Sequence, residues 1–207
     1  MEYIVYILLG LTSVVGLAFV VERAIALQWR KVVPPEIDTA VQSCQTKEDL
    51  ALLKRVCEQK PSPLGRLLLE AASHLDWPKA ENEAALETRA RHEVVRLERG
   101  LVVLEIIVGI APLLGLVGTI AGMMTLYGDL GQAGLNEAGK LASGIALILR
   151  ATLWGLLIAI PSLIAWSYFS KKVEILAVEM ETLCDQFLRR QYREIKEEKP
   201  TKKEAAK

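Results

Sequence analysis

Charge is missing from three long stretches of this chain. Tyr3 to Val21 carries none, Leu101 to Tyr127 carries only Glu105, and Leu141 to Ser170 carries only Arg150. A water-soluble domain mixes core and surface residues along its sequence. Uncharged blocks of this length are instead what a bilayer core of about 30 Å asks of a crossing helix, so an all-α membrane protein with three transmembrane helices is expected. Cysteine is scarce too. Cys44, Cys57 and Cys184 lie outside the apolar blocks and no two have CxxC spacing, which argues against a disulfide framework and fits free thiols in a reducing compartment. His74 and His92 have no neighbouring ligands, so they read as solvated helical residues and no metal is expected. There is no phosphate loop and no nucleophile–base pairing, and Glu81 with Glu83 sits in a solvated charge run. No enzyme activity and no cofactor follow. A formal net charge of zero argues against nucleic acid as a partner.

What is present is a lopsided distribution of cations. Twelve Lys and Arg, from Arg30 to Arg99, separate the first two apolar blocks, and Lys171, Lys172 and the basic tail follow the third. The connection from Gly128 to Lys140 offers only Lys140. Lys and Arg near membrane ends stay cytoplasmic, which places the N-terminus and this connection outside. Trp29, Tyr127, Trp166 and Tyr168 stand at the ends of the blocks, where amphipathic rings meet headgroups. The first block opens Met1-Glu2-Tyr3 without a basic n-region, and Glu22-Arg23 separates it from the cleavage-like Ala24-Ile25-Ala26. It is read as an uncleaved anchor.

The expected organisation is a first crossing over 1–28, a cytoplasmic helical segment over 29–99, a second crossing over 100–127, an external hairpin over 128–140, a third crossing over 141–170, a cytoplasmic helical extension over 171–198 and a disordered tail over 199–207. Pro34-Pro35 opens one cytoplasmic helix running to about Cys44. Thr46 with Asp49 suggests a cap for a second, and Pro61 and Pro63 precede a third with helical spacing from Leu64 to Leu75. From Pro78 onward nothing stops a helix short of Tyr127, a length of about 75 Å. In the tail, Val173, Leu176, Val178, Met180, Leu183 and Phe187 read as one apolar stripe.

Two small-residue faces stand out. In the second crossing, Gly118 and Gly122 form a GxxxG step and Gly115 extends it, with Pro112 one turn earlier. In the third, Gly144, Ile148, Ala151 or Thr152, Gly155, Ala159 and Ser162 recur at three- and four-residue steps. Small residues let helices approach closely in lipid, where packing drives association. Thr119 and Thr152 are the polar groups on these faces. Each either bonds its own helix backbone or lines a polar path. Arg150 is a charge inside a crossing, which is costly and tends to face protein or water. It either pairs with a carboxylate at an interface or pore, or snorkels along its helix toward the external surface.

The run Ala111 to Met123, preceded by Leu97-Glu98-Arg99-Gly100-Leu101, resembles the second-helix motif of the ExbB/TolQ (MotA/TolQ/ExbB) proton-channel family. Gly144-Ile145-Ala146, Ala151-Thr152, Gly155-Leu156 and Ala159-Ile160-Pro161-Ser162 are similar to its third helix, and Glu22-Arg23 also fits. The resemblance is carried by the three crossings and their order rather than by residues 33–90. It implies a bacterial inner-membrane protein whose N-terminus and 128–140 hairpin are periplasmic and whose C-terminus is cytoplasmic. It implies a ring, usually a pentamer, around the single transmembrane helices of an ExbD/TolR-like partner bearing a membrane Asp, with work delivered to TonB- or TolA-like proteins. Thr119 and Thr152 match the threonines of the proton path. Pro112, Gly115, Gly118, Gly122, Gly155 and Pro161 match helix-packing positions. One departure is Leu147, which stands where many members carry a Glu. It leaves open a non-conducting scaffold ring beside the motor reading.

Overall fold

The computed structural model describes residues 2–44, 47–133 and 138–204, and every regular element among them is helical. In order these are α1 (Glu2–Ala26), α2 (Trp29–Val32), α3 (Pro35–Ser43), α4 (Lys47–Gln59), α5 (Pro63–Ser73), α6 (Lys79–Glu98), α7 (Leu101–Ala133) and α8 (Ala138–Glu204). The chain divides into two compact units, Met1–Ile25 with Gly100–Ser170, and Ala26–Arg99 with Lys171–Lys207.

The first unit holds three helices long and apolar enough to cross a membrane, over Tyr3–Ala26, Leu101–Gly128 and the part of α8 that begins at Gly144. Their large side chains point mostly outward, as a lipid environment permits. Leu8, Leu17, Leu113, Ile120, Leu157 and Ile164 are all exposed. Contact is made instead through narrow faces of small residues. Ala111 and Gly115 of α7 meet Ala151, Thr152 and Gly155 of α8, and Gly144 meets Leu126. α1 joins at both ends, with Val5 against Gly118 and Gly16 beside Ile107 and Ser162. These pairings set α7 antiparallel to both α1 and α8.

The expected continuous helix from Pro78 to Tyr127 is interrupted at Arg99–Gly100, which form a turn between α6 and α7. The Arg23 guanidinium, paired with Glu22, lies so close over Gly100 that a β-carbon there would collide with it. Two further boundaries differ from expectation. α7 runs on to Ala133 and α8 begins at Ala138, so the described parts of the 128–140 connection are helical; residues 134–137 lie outside the described residues. α8 is also helical as far as Glu204, past Pro200, where a disordered tail is expected. Proline's fixed φ is compatible with a helix, although its ring removes one hydrogen bond.

The second unit packs α2 to α6 and the later part of α8 around a conventional core. Ile37, Leu53, Leu64, Leu67, Leu68, Leu176, Met180, Phe187 and Leu188 are almost completely buried. The α8 stripe follows the expected spacing except at Val178, which is 58% exposed. Two residues after Leu176 it is turned about 200° around the helix, so it faces outward, while Cys184 and Leu188 complete the stripe. The cap residue Thr46 lies outside the described residues. Asn82 is fully buried. Its side-chain amide donates to the Ala71 and His74 carbonyls at 3.0 and 3.1 Å and contacts the Tyr192 hydroxyl at 3.1 Å, tying the α5–α6 turn to α8. His74 is half-buried, its ring stacked on Trp77 at 3.9 Å, while His92 is exposed as expected. All three cysteines are free and buried, and burial pushes the Cys57 thiol up to about 11.

Ser62 starts α5. It is extended, its hydroxyl accepts from the Gly65 amide at 3.0 Å, and Pro63 occupies the first turn, where a missing amide costs nothing. Ser62 is 2% exposed, so water cannot replace that bond. Ser62→Ala is expected to lower the stability of this unit by about 1–2 kcal/mol, measurable by urea denaturation followed by circular dichroism. An unchanged midpoint would show that the cap contributes nothing.

Candidate functional site

The most distinctive polar feature of the membrane unit lies where α7 and α8 approach most closely. A β-carbon on Gly155 would fall 2.6 Å from the Ala111 carbonyl oxygen and 3.2 Å from the Gly115 Cα, and one on Gly115 would fall 2.9 Å from the Ala151 carbonyl oxygen and the Thr152 Cα. Only hydrogen side chains permit this separation. It brings two hydroxyls together, since Thr119 and Thr152 hydrogen-bond to each other across the helix pair. Thr119 Oγ1 donates to the Gly115 carbonyl at 2.9 Å, and Thr152 Oγ1 lies 3.3 Å from the same oxygen. Thr119 bonds its own backbone, and the pair also forms a polar patch bridging two helices.

Two hydroxyl protons serve three contacts. When Thr119 donates to Gly115 and Thr152 donates to Thr119, the lone pairs of Thr152 stay free to accept. Both residues are only half-buried, so a proton donor can approach from outside the chain. Hydroxyls of this kind do not ionise near neutral pH, and Glu105, the carboxylate of the second crossing, is exposed in another part of α7. The site as built orients and accepts. It carries no charge.

The remaining candidates fall into two groups. Gly118 and Gly122 are buried, and Gly118 contacts Ala151 and Val5. Pro112 is half-buried inside α7, whereas Pro161 is exposed on α8, away from the packing face. Its neighbour Ser162 is buried instead and donates to the Ile158 carbonyl at 2.8 Å. Leu147 and Arg150 are both exposed, and Arg150 is turned away from Ala151, Gly155 and Ala159. Arg150 forms no ion pair with any described residue. The contribution of α1 is absent from the sequence reading. Gly16, at a helical spacing from Leu9, is the signal that marks its packing face.

In the second unit, Glu93 of α6 is 1% exposed and takes a bidentate contact from Arg66 of α5, with Nε at 2.9 Å, while Arg89 and Arg96 lie at 3.9 and 3.4 Å. Burial alone raises a carboxyl's pKa, but the Arg66 hydrogen bonds and the charges of Arg66, Arg96 and Arg89 outweigh it and hold Glu93 below the usual range. This cluster was also missed, although Leu86, Glu93 and Leu97 share a helical face.

Known proteins similar to this chain fall in one family. Residues 59–182 match the MotA/TolQ/ExbB proton channel family. An ExbB-like biopolymer transport protein of Synechocystis is 34% identical, over 75% of this chain and 63% of its own length. The biopolymer transport protein ExbB of Helicobacter pylori is 38% identical over 39% of this chain and 56% of its own. The Tol-Pal system protein TolQ of Pseudomonas aeruginosa is 31% identical over 67% and 66%. The chain thus spans between about half and two thirds of the length of these relatives. With three apolar helices and a match covering more than half of its residues, the chain is a membrane protein of the MotA/TolQ/ExbB proton channel family.

Proposed function

We propose that this chain is the channel-forming subunit of an inner-membrane motor of the ExbB–ExbD or TolQ–TolR type, in which the Thr119–Thr152 pair lines the proton path. The observation that carries the proposal is that pair, held half-buried between two helices that only glycines allow so close. Because Leu147 removes a carboxylate from this chain's side of the path, the titratable group belongs to a partner. That partner is a single transmembrane helix bearing an Asp, which donates to the open lone pairs of Thr152 when protonated and releases its proton beyond them. Several copies of this chain surround the partner in a ring, usually a pentamer. In the second unit, a groove of about 980 Å³ between α6 and α8, floored by Leu67, Leu86 and Leu188 and rimmed by Glu87, Arg91, Asp185 and Arg189, offers a surface for the next copy. The second unit, which holds 22 of the 25 Lys and Arg, is cytoplasmic and the Tyr3 end of α1 periplasmic, so torque is delivered outward to TonB- or TolA-like proteins.

The test is proton flux into liposomes holding the chain with its Asp-bearing partner. Thr152→Val preserves shape while removing the hydroxyl, and is expected to reduce flux tenfold or more with the complex intact. Flux unchanged by this substitution would remove Thr152 from the path. A complex that assembles and never conducts would favour the scaffold reading, for which the absent carboxylate at Leu147 is the supporting observation.

A further inference from the structure

Arg150 can be placed in depth by counting along the helices. The membrane unit ends at one side where Arg23 lies over Gly100 and where Ser170 precedes Lys171. Twenty residues separate Arg150 from Ser170, and twenty separate Tyr3 from Arg23. At 1.5 Å per residue both intervals are about 30 Å, the thickness of the hydrocarbon core. Arg150 and Tyr3 therefore lie at one level, toward the far side of the bilayer. Their helices confirm the shared level, because Tyr3, Val5, Tyr6, Gly118, Leu147, Ile148 and Ala151 line one groove of about 190 Å³.

We infer that this groove and Arg150 form a binding site for one phospholipid of that leaflet. The groove is apolar and open to the side where Tyr3 is 84% and Leu147 49% exposed, and it accepts part of an acyl chain. Arg150 follows Leu147, one of the residues lining the groove, by three positions on α8. In helices a long side chain leans toward the N-terminus, which on α8 is the direction of the headgroups. Its guanidinium forms no ion pair with a described residue, and guanidinium binds phosphate through paired hydrogen bonds. Tyr3 and Tyr6 carry hydroxyls at the same level, where amphipathic rings are favoured. A carboxylate of a second chain would satisfy the charge equally but would leave the groove unfilled, which is why lipid is the occupant assigned.

The experiment uses the full chain, delipidated in mild detergent and titrated with dioleoylphosphatidylglycerol under native mass spectrometry. Dioleoylglycerol, which lacks the phosphate, serves as the second probe. Arg150→Leu is expected to weaken binding of the phospholipid about tenfold, Arg150→Lys to retain most of it, and Leu147→Trp to weaken both probes by filling the groove. The wild type should bind dioleoylglycerol no better than Arg150→Leu does. Since Arg150 is exposed, its replacement leaves the helix packing intact, checked by an unchanged melting curve. Equal phospholipid binding by wild type and Arg150→Leu would overturn the proposal. So would a photocrosslinker at position 150 that, in native membranes, captures protein and no lipid.

Discussion

Gly155→Ala is expected to destabilise the membrane unit by about 1–3 kcal/mol, although alanine is otherwise the better helix former by about 0.8–1.0 kcal/mol. The added methyl would sit 2.6 Å from the Ala111 carbonyl oxygen and 3.2 Å from the Gly115 Cα. Both are backbone atoms, which cannot swing aside as a flexible side chain would. The whole α7–α8 contact must open to admit it, and association in lipid depends on that contact because apolar burial supplies no driving force there. Gly109 and Gly10 provide the comparison, since a β-carbon on either would meet nothing within 4 Å. Their alanine variants are expected to be neutral or slightly more stable. Unfolding in mixed micelles, followed through Trp154 and Trp166 of the same unit, measures the difference. The same opening separates Thr119 from Thr152, so proton flux should fall together with stability in Gly155→Ala and in neither control. A Gly155→Ala protein as stable as Gly109→Ala would mean that the close approach is not what holds these helices together.

That contact also shows what a sequence can and cannot reveal. The three crossings were legible because a long run without charge is a one-dimensional signal, and the small faces were legible because glycine and alanine recur at helical spacing. Which glycine meets which residue was not. Periodicity names a face, but the match of Gly155 to Ala111 depends on how far one helix slides along the other. The pairing of Thr119 with Thr152 follows from that slide and was equally hidden. Gly100 is a sharper case. The run from Pro78 reads as one helix, whereas the structure turns at Arg99–Gly100, with the Arg23 guanidinium of α1 packed where a Gly100 β-carbon would be. Val178 went astray for a local reason, being grouped with neighbours while standing on the opposite side of its helix. Pro161 was assigned to packing through the family resemblance, yet Ser162 beside it is the residue turned inward. Glu93 was overlooked because a carboxylate in a charged helix looks solvated until α5 is seen to cover it.

Glu93 carries the other large effect. Glu93→Leu is expected to cost about 3 kcal/mol, at the lower end of the 3–5 kcal/mol found when one partner of a buried ion pair is removed. The loss arises because Arg66 keeps its charge after its carboxylate is gone. It belongs at the lower end because the Arg66 side chain is 33% exposed and water can reach part of it. Replacing both, Glu93→Leu with Arg66→Met, removes the stranded charge and should recover most of the stability, since apolar substitutes for a buried pair are often neutral or better. The pH dependence separates this account from simple loss of packing. The native carboxyl is held below its ordinary value, so the unfolded chain takes up this proton first as pH falls. The pair's contribution is therefore complete above about pH 4.3 and is lost as pH drops through the lower native value. Urea denaturation between neutral and acid pH should show the wild type losing this increment only on the acid side, with Glu93→Leu lacking it throughout. If the gap between the two proteins stayed constant into strong acid, the charge on Glu93 would not be the source of the stability, and the arginines around it would be spectators.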